Sequence, residues 1–141
     1  MSHTFLQRPF ENFSDNHFNT DNQDVKFSVT KSPLVQNVAK VFDEILHNNN
    51  IKVNCFLRLN ANCVLPLDKV VDTVPHVDHN YPHENAIIYL TNAGGKIFVG
   101  DDSHDPKEDD VVCFKGLRHY HQTPERTDVC VRRIALVATF I

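Results

Sequence analysis

No stretch of this sequence approaches the roughly 18 consecutive apolar residues that a membrane-spanning helix requires. The opening residues, Met1-Ser2-His3-Thr4-Phe5-Leu6-Gln7-Arg8, lack the apolar h-region of a secretory signal, so none is expected. The four cysteines (Cys55, Cys63, Cys113, Cys130) include no C-x-x-C pair, which argues against zinc and against a disulfide framework. Three of them fall in apparent strands, so buried free thiols in a reducing compartment are expected. Excess positive charge is missing too. Residues 1–110 carry nine Lys and Arg against sixteen Asp and Glu, and residues 111–141 carry five against two. An acidic body does not suit a general nucleic-acid binder, whose footprint is a basic face. A local basic mouth would suit a small dicarboxylate. There is no internal repeat, low-complexity tract or linker, so residues 1–141 are expected to form one domain.

What is present is an ordinary globular composition, 41% apolar and 23% charged, on a chain long enough for one small core. Residues 1–32 are polar, with spaced phenylalanines at 5, 10, 13, 18 and 27. They read as an irregular segment draped on the core, with short strands at Thr4 to Gln7 and Val25 to Val29. One helix is expected over 33–48. Ser32 is a favoured N-cap and Pro33 a favoured first helical residue. Val35, Val38, Val41, Phe42, Ile45 and Leu46 then share one face, and Asn48-Asn49-Asn50 closes the helix. From residue 51 onward the pattern is short strands and turns. The strands are expected at 51–59, 63–67, 86–91, 96–100, 111–114, 118–122 and 133–141. Pro66 marks an edge, the Gly94-Gly95 turn joins 86–91 to 96–100, and residues 101–110 form an acidic loop. One helix with seven or eight short strands fits a mainly β fold. The architecture expected is a double-stranded β-helix (a cupin-like jelly roll) over 51–141, with the helix packed on a sheet.

The chemistry centres on His76-Val77-Asp78. On a strand, residues two apart point to the same face, so His76 and Asp78 can share a metal. Two histidines and one carboxylate, with the third ligand from far along the chain, make the facial triad that holds non-haem Fe(II). With nine His and thirteen Asp, about one H-x-D is expected by chance, so the context matters. An apolar strand follows it, then a turn, a second apolar run, a pair of histidines and an arginine. His119 and His121 are themselves two apart, and spacing alone leaves either as the third ligand. Arg132 and Arg133 must point to opposite faces of the last strand. Arg132 goes with Ile134, Leu136, Ala138 and Phe140, the larger apolar set, which should cover the helix. Arg133 goes with Ala135, Val137 and Thr139, which should line a cavity. There its planar fork would suit a carboxylate.

His76-Val77-Asp78, the strand Ala86 to Thr91, Gly94-Gly95, Phe114 to His121 and Arg133-Ile134-Ala135-Leu136 occur in that order. In this, residues 51 to 141 resemble the 2-oxoglutarate/Fe(II)-dependent dioxygenases, above all the short prolyl-hydroxylase-like members of bacteriophages and bacteria. The resemblance implies an oxidoreductase in the cytoplasm of a bacterium or of a phage-infected host. It implies Fe(II) held by His76, Asp78 and a distal histidine, with the ligand atoms converging within about 3.5 Å. His121 is favoured over His119, because it stands twelve residues before Arg133 and is followed by Gln122-Thr123-Pro124. Arg133 would anchor 2-oxoglutarate, with Tyr89 and Asn62 as further contacts. Decarboxylation of 2-oxoglutarate to succinate and CO2, with O2 as oxidant and ascorbate as a candidate reductant, would drive hydroxylation of a C–H bond. The substrate is not legible, a protein side chain being one candidate. Residues 1–32 and the loops Asp68 to Val74 and Asp101 to Asp110 would select it. Three alternatives stand beside this reading: a nucleic-acid-modifying dioxygenase, a cupin-like metalloprotein without 2-oxoglutarate, and a non-enzymatic jelly-roll binding module. No membrane partner is expected and nucleic acid is disfavoured; the oligomeric state cannot be read.

Overall fold

The computed structural model describes the backbone of residues 2–4 and the whole of residues 32–141. The strand expected at Val25 to Val29, and most of that expected at Thr4 to Gln7, lie outside the described residues. In chain order the elements are β1 (Ser2–Thr4), α1 (Leu34–Asn48), β2 (Phe56–Val64), β3 (Glu84–Tyr89), β4 (Ile97–Val99), β5 (Asp102–His104), β6 (Val111–Lys115), β7 (His119–His121) and β8 (Arg133–Phe140).

Helix α1 starts one residue later than its sequence suggests. Pro33 is the N-cap residue, with φ −64° and ψ −16°, and no side chain caps it. Ser32 contributes its carbonyl, which accepts from Val35 N at 3.3 Å. The C-terminal end follows expectation. Asn50 takes φ +59°, Ile51 N donates to Leu46 O at 2.9 Å, and Asn50 N donates to His47 O at 3.0 Å. These are the two bonds of a Schellman cap, in which a left-handed residue satisfies the last carbonyls.

The strands form two antiparallel sheets, one ordered β1-β2-β8-β3-β6 and the other β5-β4-β7. The chain around His76 extends the smaller sheet without forming a regular strand. It reaches β7 and its end through the single bridges Asp72↔Gln122 and His76↔His119. Each sheet therefore takes strands from both early and late in the chain, which is the interleaving of a jelly roll. The mainly β class, with one helix on a sheet, is as the sequence indicates.

Three local expectations fail for physical reasons. The pieces 51–59 and 63–67 are one strand, Phe56–Val64, running through Asn60-Ala61-Asn62. Those asparagines interrupt the apolar pattern because they face a polar cavity, not because the chain turns. Next, β3 and β4 are not a hairpin: they lie in different sheets, and Gly94 (φ +69°) and Gly95 (φ +86°) carry the chain between them. The acidic loop contains β5, an exposed edge strand whose charged side chains need no core. Of the four cysteines, all free, Cys63 alone is buried.

Strand β8 sits at the centre of the larger sheet, between β2 and β3. One face puts Leu136, Ala138 and Phe140 against Phe42 and Leu46 of α1, together with Leu59, Ala86 and Ile88. The other face, carrying Ala135 and Val137, meets Ile87, Tyr89 and Ile97 between the sheets. The assignment of faces made from the sequence holds. Val41 is an exception on the helix, since it is 44% exposed. Phe42, fully buried, should lose about 3–5 kcal/mol on replacement by alanine. Val41→Ala should stay within about 0.5 kcal/mol, as an exposed substitution does. Urea unfolding of the two variants checks this ordering.

Candidate metal centre and its cavity

A cavity of about 440 Å³ lies between the sheets. Its walls are Arg58, Asn60, Asn62 and Val64 from β2, Ile87 and Tyr89 from β3, and Arg133, Ala135 and Val137 from β8. His119 and His121 of β7, with Thr73, His76, Asp78 and Thr123, close the other side. Strand register orders these residues along its length. Arg133 is level with Val64, Ala135 with Asn62 and Tyr89, Val137 with Asn60 and Ile87, and Thr139 with Arg58. Six residues of strand separate the first level from the last, about 20 Å at 3.3 Å per residue. The cavity therefore has two chemically different ends.

At one end, His76, Asp78 and His119 bring one potential ligand atom each within 4.8 Å of one another. His119 Nε2 is 3.6 Å from Asp78 Oδ2, and His76 Nε2 is 4.0 Å from Asp78 Oδ1. An ion about 2.1 Å from two ligands holds them at most about 4.2 Å apart, so small rotations complete the set. The atoms stand somewhat wider than the expected 3.5 Å while Asp78 is turned onto the guanidinium of Arg58. The H-x-D residues converge without lying on a regular strand.

The structure joins His119, not His121, to this group, and the hydrogen bonds explain why. His119 Nδ1 donates to Leu117 O at 3.0 Å, and His76 Nδ1 donates to Val74 O at 3.0 Å. A carbonyl only accepts, so each ring carries its proton on Nδ1 and presents the Nε2 lone pair toward Asp78. Backbone carbonyls fix metal-ligating histidines in this way. His121 has no such partner. Its buried Nδ1 is unbonded among the described residues, and it points into the deeper cavity. Burial, aided by the Arg133 charge, pushes its pKa down to about 3. Burial also lowers His119, despite the Leu117 carbonyl and Asp78 pulling upward. For Asp78, burial pushes the pKa up, but the Arg58 guanidinium outweighs it and holds the carboxyl below its ordinary value.

At the other end, Arg133 is 5% exposed. Its Nη1 donates to Gly95 O (2.7 Å) and Gln122 O (2.8 Å), and no carboxylate pairs with it among the described residues. Arg132, its neighbour, is exposed. Gly95 is required here: a Cβ at that position would come within 2.6 Å of both Arg133 Nη1 and Gln122 O. Tyr89 and Asn62, one level along the strands from Arg133, also line the cavity. The Tyr89 hydroxyl is buried without a partner among the described residues, and burial pushes its pKa up to about 12. Asn62 Oδ1 accepts from Asn60 Nδ2.

Sequence reasoning passed over Arg58 and Asn60. The available signal was Arg58-Leu59-Asn60-Ala61-Asn62, a polar–apolar alternation that puts three polar groups on one strand face.

No family model matches the chain, and no curated protein does. Among solved structures it is similar to a cupin protein from Bacteroides fragilis, at 12% identity over 66% of this chain and 71% of that one, with a TM-score of 0.45. A cupin-2 domain protein from Shewanella frigidimarina shares 8% identity over 64% and 74%, with a TM-score of 0.44. A transcriptional regulator from Vibrio cholerae shares 13% over 60% of this chain, with a TM-score of 0.42, and the match spans 42% of the regulator's length. Likenesses this remote say nothing of activity, which has to be read from the residues themselves.

His121 generates a pH prediction for the metal-free protein. A histidine whose pKa falls from its ordinary 6.5 to about 3 binds its proton more tightly when the chain is unfolded. Its contribution to stability is complete above about pH 6.5 and is lost as pH falls toward 3, with a slope of at most about 1.4 kcal/mol per pH unit. Thermal melts in chelator between pH 7 and 4 should show this steep loss, and His121→Asn should flatten it.

Proposed function

We propose that this protein is an Fe(II)- and 2-oxoglutarate-dependent dioxygenase that hydroxylates a C–H bond, releasing succinate and CO2. The observation that carries the reading is Arg133, a buried guanidinium with no carboxylate partner among the described residues, sharing one cavity with a two-histidine, one-carboxylate cluster. A buried cation left without an anion is strongly unfavourable, so the site calls for an anionic ligand. A keto acid with a second carboxylate supplies one group for each end.

His76, Asp78 and His119 would hold the iron, and the donor set fits non-haem Fe(II). When bound, the iron supplies the activation of O2 that no side chain can provide. The rest belongs to the protein. Both Nη1 protons of Arg133 are engaged by carbonyls, so its Nε–Nη2 edge remains for a carboxylate, fixed in direction before any ligand arrives. Tyr89 keeps its proton at every physiological pH and would donate its hydroxyl to the ligand. His121 stays neutral and offers Nδ1. Ala135, Val137 and Ile87 line the length between with apolar surface, leaving room for the ligand and excluding water. O2 and a reductant such as ascorbate would enter by the end where His76 is exposed.

A second reading, a cupin-like metal site that takes no cosubstrate, draws on the Arg58–Asp78 ion pair, which orients the carboxylate without help from a keto acid. Anaerobic titration with Fe(II) and then 2-oxoglutarate separates the two. The dioxygenase reading expects a weak visible charge-transfer band that needs both. A metal-only site binds Fe(II) and shows no band.

Variants sharpen the test. Arg133→Ala removes a charge-assisted interaction of roughly 1.5–3 kcal/mol. Affinity for 2-oxoglutarate should then fall about tenfold to a hundredfold while Fe(II) binding holds. Arg133→Lys should recover part of it, and Arg132→Ala should change little. His119→Ala and Asp78→Ala should abolish iron-dependent succinate release, whereas His121→Ala should retain Fe(II). Loss of Fe(II) in His121→Ala with retention in His119→Ala would reverse the ligand assignment.

A further inference from the structure

Arg58 lies at the metal end of the cavity, and the Fe(II)/2-oxoglutarate reading leaves it without a task. It projects from β2 two levels beyond Asn62, with its side chain 20% exposed and its Nε buried and unbonded among the described residues. Its one anionic partner there is Asp78 Oδ1. Counting charge around the cavity shows what this implies. Among the described residues two guanidiniums, Arg58 and Arg133, and one carboxylate, Asp78, line it. The histidines must be neutral to bind a metal. A divalent ion adds two positive charges and a 2-oxoglutarate dianion cancels two. One positive charge is left over. The distal carboxylate answers Arg133, and the keto-acid end answers the ion. Asp78, drawn onto the metal, then neutralises Arg58 less, so the surplus falls on Arg58.

We infer that Arg58 receives a carboxylate of the primary substrate, and that the substrate is a carboxylic acid with an apolar body. The inference rests on the function proposed above and names its substrate class. Asp78 shows the chemistry, since the group that Arg58 grips is itself a carboxylate. A guanidinium has five donors in a planar fork, so Arg58 can hold Asp78 on one edge and a second carboxylate on the other. The apolar body follows from the wall beside Arg58, where Ile87 and Val137, one level along the strands, face the cavity. A C–H bond of a molecule held by its carboxylate at Arg58 and by its chain on these residues lies beside His76 and Asp78, where the metal would stand.

Hexanoate and its neutral counterpart hexanamide, differing in charge and nearly matched in shape, are the probes. The protein is loaded with Mn(II) and 2-oxoglutarate under argon, and paramagnetic relaxation of the probe's protons reports binding near the metal. Wild type should bind hexanoate about tenfold more tightly than hexanamide, the margin of a charge-assisted pair. Arg58→Gln should erase the difference while leaving 2-oxoglutarate affinity within about threefold, and Arg58→Lys should restore part of the preference. Equal binding of the two probes to wild type, or a preference that survives in Arg58→Gln, overturns the role of Arg58. If the same proteins, loaded with Fe(II) in place of Mn(II), show the Fe(II)–2-oxoglutarate band, the dioxygenase reading stands without it. If the band is missing from wild type, both fall.

Discussion

A guanidinium buried between two sheets, with no carboxylate beside it among the described residues, is the constraint around which this molecule is arranged. Removing a cation from water costs several kcal/mol even after relaxation, and hydrogen bonds recover part of that. Arg133 has two such bonds, to Gly95 O and Gln122 O. They are possible because Gly95, at φ +86°, brings the backbone closer than any side chain would permit. The rest of the strand makes the burial tolerable. The opposite face of β8 carries Leu136, Ala138 and Phe140 into the main core with α1, so the strand is anchored whatever its cavity face carries. One strand thus supplies the hydrophobic stabilisation and the polar demand together, on alternate residues.

The two ends of the cavity divide the work. The deep end holds an unmatched positive charge, a phenol that keeps its proton and a histidine that stays neutral. The other end holds two histidines with protons fixed on Nδ1 and a carboxylate kept ionised by Arg58. A metal at one end and an anion at the other would need no movement of the sheets. Small rotations of Asp78 and its neighbours bring the ligands to bonding distance.

Much of this was legible in the residues. Period-two alternation from Arg132 onward told the core face from the cavity face, and three- and four-residue spacing marked α1. The H-x-D pair announced the metal end. What was not legible has one cause, that polar residues facing an internal cavity look like loop. Asn60 and Asn62 hid the continuity of β2, and Arg58 passed as an ordinary surface charge on a strand. The choice between His119 and His121 turned on a backbone carbonyl two residues upstream, Leu117 O, which holds the His119 ring, while His121 Nδ1 has no partner among the described residues. Spacing in the sequence carries no trace of such a bond. The distance from Arg133 pointed to His121, whereas the structure groups His119 with His76 and Asp78.

Where a metal binds decides whether His76, Asp78 and His119 act together. Crystals soaked anaerobically with Fe(II), measured on both sides of the iron absorption edge, give the position of the ion without reference to activity. The expected result is one anomalous peak bonded to His76 Nε2, a carboxylate oxygen of Asp78 and His119 Nε2, at about 2.0–2.2 Å. His121 should stay outside the coordination sphere and Arg133 should remain on Gly95 and Gln122. A peak bonded to His121, or no peak at the three residues, would contradict that assignment.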